Sequence, residues 1–294
     1  MDLEAMAAAL EASGDYRVLR KLKSHHFYEK PDSALVKRAL FVDVETTGLS
    51  YHDDEIIELA MVPFSYGLDG KIYELFEPFQ SFQEPKKPIP AEITEITGIT
   101  PSMVEGFKLD LVEIEQYIAG CDLIVAHNAK FDRKFLERLA PCFQKKPWAC
   151  SATEVNWRRE GFEGSRLGYL ATAVGFFYDK HRALNDCYAA IELLAKPLPK
   201  SGCSGFSALL ETARTPIWRI WAHHAPFELK DVLKERGYRW RSGDKDGRRA
   251  WYIDVSSKQK DAEIKYLQDE IYRDPRSIIT QKIDAYDRFS ERAD

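Results

Sequence analysis

Four carboxylates and one imidazole stand out by type and position. Asp43 and Glu45 interrupt an otherwise apolar run, A-L-F-V-D-V-E-T-T-G. Asp132 closes I-V-A-H-N-A-K-F-D, and His181 and Asp186 bracket H-R-A-L-N-D. Buried carboxylates cost free energy unless they are paired or bind a cation. Four of them gathered together read as a cage for hard divalent ions such as Mg²⁺, which prefer oxygen ligands. Two such ions about 4 Å apart suit the hydrolysis of a phosphodiester by water. An imidazole titrates close enough to neutrality to take that water's proton.

The elements that must position these groups can be read from the pattern. Ala39–Val44 is a short apolar strand, on which Asp43 and Glu45, two apart, share a face. T-T-G-L follows as a turn, with Gly48 free to take positive φ. Glu55–Phe64 and Gly70–Phe76 read as two further strands of an antiparallel meander. Glu77–Pro90 reads as a loop, and short helices follow at Ala91–Ile96, Ser102–Gly106 and Leu111–Ile118. Asp122–Ala126 is a buried strand, and the helix Ala129–Leu139 after it carries Asp132 in its first turn, where the helix dipole favours a carboxylate. Trp148–Ser151 reads as a strand, and Ser165–Val174 and Ala183–Leu194 as helices. Asp186 lies in the last of these, with His181 in the loop before it. The order predicts an α/β fold, a mixed sheet flanked by helices in the ribonuclease-H-like arrangement.

These motifs closely resemble the DEDDh branch of the 3′–5′ exonucleases, the DnaQ-like family of the proofreading epsilon subunits, over roughly Ala39–Ala195. D-V-E-T-T-G, H-N-A-K-F-D and H-R-A-L-N-D occur in family order, and H-x-x-x-x-D selects this branch. The stretch I-T-G-I-T-P (Ile96–Pro101) is also family-like. The resemblance implies two divalent ions, Mg²⁺ or Mn²⁺. Asp43, Glu45 and Asp186 would hold the metal that carries the nucleophilic water. Asp43 would bridge to the second, with Asp132 near it through water, and His181 would be the general base. Thr46, Gly48 and Leu49 would line the 3′-terminal nucleotide. Phe131 would stack near a base, and His127 and Asn128 would support the site. The implied activity is release of nucleoside 5′-monophosphates from the 3′ end of single-stranded DNA. Alternatives are an exonuclease directed at RNA, or a non-catalytic adaptor that binds nucleic acid or a polymerase.

Composition bounds the rest. The 294-residue chain is 45% hydrophobic and carries a net charge of −5. No apolar run reaches the ~18 residues of a membrane span, and Met1–Tyr16 lacks the pattern of a signal peptide, so a cytoplasmic location without membrane contact is expected. Five cysteines without C-x-x-C spacing argue against a disulfide framework or zinc ribbon. The expected organisation is a helical lead over residues 1–37, with a second helix at Tyr16–Lys23. An exonuclease domain over 38–196, a Pro/Gly/Ser-rich linker over 197–206 and a small α+β module over 207–294 follow it.

That module carries strand-like Pro216–Ala222, Tyr238–Arg241 and Arg249–Val255, with helices at Pro226–Arg236 and Asp261–Tyr272. Residues 236–249 hold six basic and two acidic groups, interleaved with Tyr238 and Trp240 and followed by Trp251 and Tyr252. Cations and aromatics together grip single strands, which nominates Arg239, Arg241, Arg248 and Arg249 as accessory nucleic-acid contacts. Trp240 and Trp251 also suit cross-strand packing in a small core. The pattern weakly resembles modules that accompany DNA-processing enzymes. Expected partners are single-stranded nucleic acid, DNA ahead of RNA, and a polymerase or repair protein.

Overall fold

The computed structural model describes residues 2–23, 25–31, 35–243 and 249–293. They form two compact units. The first runs to Ala213 and includes Phe289–Arg292; the second comprises Arg214–Arg288 and Ala293.

The first unit begins with helix α1 (Leu3–Ala12), capped by the Asp2 side chain on the Glu4 and Ala5 N–H groups, and the two-residue strand β1 (Arg20–Lys21). Strands β2 (Val36–Thr46), β3 (Ile56–Gly67), β4 (Ile72–Leu75) and β5 (Phe79–Phe82) follow. Next come α2 (Ala91–Thr97), α3 (Pro101–Val104), α4 (Leu111–Ala119), β6 (Leu123–Ala126), α5 (Ala129–Leu139) and β7 (Trp148–Cys150). The unit closes with α6 (Leu167–Ala173), β8 (Phe176–Phe177), α7 (Ala183–Ala195) and α8 (Gly205–Ala213). The main sheet has the order β4-β3-β2-β6-β7, and β5 also pairs with β3. Contacts of β3 with β2, β4 and β5 are antiparallel, whereas β2-β6-β7 are parallel. This is the expected mixed α/β sheet.

Strand alternation divides the core in two. Ala39 and Phe41 pack in one apolar cluster with Ala183, Cys187 and Ala190 of α7. Leu40, Val42 and Val44 pack in the other with Ala129, Phe135 and Leu136 of α5. Small residues along α7 let its backbone approach the sheet closely: Cys187 Sγ lies 3.9 Å from the carbonyls of Phe41 and Ala60.

Several expectations are corrected. Tyr16–Lys23 is not a helix; Arg20 and Leu22 donate N–H groups to Gly175 and Phe177 carbonyls, and β1 pairs with β8 in parallel. Glu77–Pro90 is not wholly loop, because β5 adds to β3 there. The 197–206 stretch does not separate the units. It is a tight turn closed by the Pro197–Ser204 bridge and the Leu198 N–H to Cys203 carbonyl bond, with Leu198 and Phe206 buried in the first unit's core.

The second unit contains β9 (Ile217–Ala222), α9 (Lys230–Glu235), β10 (Arg239–Arg241), β11 (Ala250–Ser256), α10 (Lys260–Tyr266) and β12 (Thr280–Ile283), in the antiparallel order β10-β11-β9-β12. The expected helix over Pro226–Arg236 is shorter, a 3₁₀ turn leading into α9. The helix expected to reach Tyr272 continues beyond α10 as a π-helical segment, Leu267–Tyr272, and β12 was not expected. All five cysteines are unpaired thiols. No helix among the described residues is long and apolar enough to cross a membrane.

Candidate active site

The acidic residues meet at the carboxyl ends of the parallel strands, where open α/β sheets bind ligands. Asp43 and Glu45 project from one face of β2, and Asp186 reaches them from the first turn of α7. Each of the three offers a carboxylate oxygen within 4.8 Å of the others'. Asp132 approaches from the edge. Strand β6 pairs with β2 only at Ala39–Phe41, and beyond it the Val44 N–H donates to Asp132 Oδ1 at 3.3 Å. Asp132 is buried but stands outside the trio. A register shift at Glu45/Thr46 ends the regular pairing and releases the chain into the next loop.

The electrostatics are those of a cage of like charges. Burial pushes Asp43 well above the usual carboxylate range, and Asp132, Asp186 and Glu45 push it further. Burial, then Asp186, raises Glu45 to about 8. Burial raises Asp132 to about 7 against opposing backbone hydrogen bonds, and Asp186 is raised by burial as well. An all-oxygen donor set held in mutual repulsion fits a hard divalent cation, whose charge would relieve it.

His181 sits on an exposed loop with φ +60°, a backbone conformation that costs a non-glycine residue about 1–3 kcal/mol. Its N–H and that of Arg182 donate to Asp186 Oδ2 at 2.9 and 3.3 Å, so the loop is tied to the helix that carries Asp186. The imidazole is not part of the carboxylate trio.

The remaining expected contacts divide. Leu49 is 87% exposed and free of the core. Phe131 is half-buried, with its ring centroid 4.9 Å from that of Phe135, and Asn128 is exposed. Thr46 is buried and its hydroxyl donates to the Gly48 carbonyl at 2.6 Å, so that group belongs to the loop. Gly48 does not take positive φ, contrary to expectation. It is needed for space, because a β-carbon there would lie 2.5 Å from Asp54 Oδ2. His127 is turned inward, bonded to Ser151 Oγ at 2.8 Å and the Ser165 carbonyl at 2.7 Å. Burial lowers it to about 4, which keeps the ring neutral. It braces the loop between β6 and α5 and offers the substrate no open nitrogen.

Three residues at the site escaped the sequence reading. Tyr178 donates its hydroxyl to Asp186 Oδ1 at 2.8 Å, and nothing in its local pattern marks it. Glu58 lies across from Glu45 in the β2–β3 register and is fully buried against Arg182. A carboxylate inside the apolar run E-I-I-E-L-A was the available signal for Glu58, and adjacency to His181 was the signal for Arg182.

In the second unit, Arg239 lies over the Tyr252 ring at 4.9 Å and Arg241 over Trp221 at 5.6 Å, on one face of the sheet. Arg239 also pairs with Asp254 at 2.7 Å. Trp240 and Trp251 are direct cross-strand partners with centroids 5.4 Å apart, yet Trp240 remains 53% exposed. Arg249 is exposed, and Arg248 lies outside the described residues.

Residues 40–194, more than half of the chain, match the family model described as Exonuclease (RNase_T). A DNA polymerase III PolC-type from Caldanaerobacter subterraneus subsp. tengcongensis is 26% identical over 250 residues, covering 78% of this chain and 17% of the relative. The Listeria innocua PolC-type polymerase is 43% identical over 161 residues, covering 52% of this chain and 11% of the relative. The chain therefore spans less than a fifth of the length of these relatives. Among solved structures, Exonuclease X in complex with 5′ overhanging duplex DNA is similar at 27% identity and a TM-score of 0.45, covering 59% of this chain and 98% of that one. E. coli Exonuclease I in complex with a dA16 oligonucleotide gives 17% identity and a TM-score of 0.48, covering 77% of this chain and 67% of that one.

Proposed function

The chain belongs to the DnaQ-like 3′–5′ exonuclease family, and from that premise we propose that it removes nucleotides from the 3′ end of single-stranded DNA as 5′-monophosphates. The observation that carries the reading is the convergence of Asp43, Glu45 and Asp186 within 4.8 Å, with Asp132 beside them. Asp43, Glu45, Asp132 and Asp186 would hold two divalent ions, Mg²⁺ or Mn²⁺. Bound there, such ions acidify the attacking water and offset charge on the phosphate and leaving oxygen.

The chain's own groups do the rest. His181 accepts the water's proton at an imidazole nitrogen and, from its exposed loop, returns it to solvent. Tyr178 and the two loop N–H groups fix the orientation of Asp186. Leu49 offers an apolar contact to the terminal base, and Phe131, half-buried against Phe135, offers a ring for stacking near a base. Gly48 and Thr46 shape the loop that presents Leu49. The curated relatives are DNA polymerases, which supports DNA as the substrate and a polymerase or repair protein as a partner. Five free thiols are consistent with a reducing cytoplasm.

Matched 3′-labelled DNA and RNA strands test the substrate class. Labelled deoxynucleoside 5′-monophosphate should appear from DNA at least about tenfold faster than its ribonucleotide counterpart from RNA, a difference of ~1.4 kcal/mol in the barrier. Faster release from RNA would reassign the substrate; retention of both labels despite tight strand binding would favour an adaptor.

The second unit is proposed to grip the strand. Changing Arg239 and Arg241 together to glutamate should weaken binding of a long single strand and lower the slope of log K against log salt by about 1–2. An unchanged affinity and slope would remove these arginines from the strand's path.

A further inference from the structure

Glu58 is a fully buried carboxylate beside the cage but outside the trio. An ionised group so placed persists only when its oxygens are well partnered. Arg182 Nε lies 3.3 Å from both Glu58 oxygens, and Nη2 lies 2.9 Å from Oε1. The Ala183 N–H donates to Oε2 at 3.1 Å, and Gln80 Nε2 donates to Oε1 at 2.7 Å. The guanidinium also sits over the Phe82 ring at 5.6 Å. Glu58 on β3, with Gln80 and Phe82 on β5, thus holds the two residues that directly follow His181 and open α7.

His181 needs such a hold, because its backbone is in the left-handed region and its side chain is exposed. This loop is also held by Asp186, whose Oδ2 receives the N–H groups of His181 and Arg182 and whose Oδ1 receives the Tyr178 hydroxyl, and by Asn185, which donates to the Asp179 carbonyl. Asp186 belongs to the candidate cation site, so those bonds draw on a carboxylate of that site. The Glu58–Arg182 contact does not.

We propose that Glu58 and Arg182 are positioning residues, an anchor that uses no oxygen of the carboxylate trio and sets His181 and the first turn of α7 for proton transfer. This rests on the reading of His181 as the general base. The test uses the full chain as wild type, Glu58→Gln, Arg182→Gln, Arg182→Lys and the Glu58→Gln/Arg182→Gln double variant. The readouts are kcat and KM on a 5′-labelled strand, thermal stability, and backbone hydrogen exchange at His181 and Arg182.

Arg182→Gln should lower kcat about 10- to 100-fold with KM within about twofold, the loss expected from a small misplacement of a reacting group. Arg182→Lys should recover part of it, and the double variant should be no worse than the poorer single one. Exchange at His181 and Arg182 should quicken while that of β2 and β3 stays slow. Wild-type kcat in a folded Arg182→Gln protein would overturn the proposal. So would single losses that multiply in the double variant, or exchange that quickens evenly throughout. If the Glu58 variant does not fold, the two Arg182 variants decide alone. An inactive wild type would instead refute the exonuclease reading, and local exchange would still report on the anchor.

Discussion

Asp43→Asn is expected to abolish strand cleavage and, in the same protein, to raise the thermal stability of the metal-free state. Asp43 is the carboxylate driven up most plainly by burial and by its acidic neighbours. Asparagine keeps its size and is neutral at every pH, so it needs neither a retained proton nor a buried charge among the acidic neighbours. In EDTA at pH 8 the variant should therefore melt higher than wild type by roughly 1–3 °C, the shift ~1 kcal/mol gives a chain of this size. With Mg²⁺ its cleavage rate should fall about 10³-fold or more, since several kcal/mol of charge stabilisation depend on the cage. A variant that melts lower in EDTA, or cuts within tenfold of wild type, would contradict this account of the site.

The same cage sets a pH dependence of definite sign. Glu45 is raised to about 8 and Asp132 to about 7, whereas carboxylates in the unfolded chain titrate near ~4. Between those limits the native state retains protons that the unfolded state has released. Their contribution to stability is fully present below pH ~4 and is lost as pH rises through about 7–8. Divalent ions need the deprotonated cage, so the melting shift produced by Mn²⁺ should be larger at pH 8 than at pH 6. A shift independent of pH over this window would show that the carboxylates are not the ligands.

His181→Asn separates proton transfer from metal binding. Asparagine tolerates the left-handed backbone at this position better than alanine, so the loop can keep its shape. It cannot accept a proton, and cleavage should fall about 10²- to 10⁴-fold. The imidazole lies outside the Asp43–Glu45–Asp186 trio, so the Mn²⁺ melting shift should survive. Rates within tenfold of wild type would dismiss His181 as the base. Loss of the melting shift would make it a ligand instead.

How much of this was legible depends on how local each signal is. Asp43 and Glu45 declare themselves because charge breaks an apolar strand at a two-residue period, and Asp132 because it falls in the first turn of a legible helix; Asp186 likewise lies in a helix the pattern shows. Glu58 carries the same signal as Asp43, but its partner Arg182 is 124 residues away and its role appears only when β3 and α7 meet. His127 reads as a site residue only through the resemblance carried by H-N-A-K-F-D. Only the positions of Ser151 and Ser165 show that its ring faces inward.

Among the elements, long strands with apolar runs were readable and two-residue pairings such as β1 with β8 were not, since they have no period to detect. Proline, glycine and serine in 197–206 signalled a turn, and the turn is there. The boundary between units was inferred from composition at a place where buried Leu198 and Phe206 join the first unit's core.

The most direct single measurement is a time course on a 5′-labelled single strand of DNA with Mg²⁺, divided at mid-reaction into portions with and without EDTA. The account predicts a ladder that shortens from the 3′ end and stops at once in EDTA. Cleavage that continues in EDTA, or internal fragments without a ladder, would contradict it.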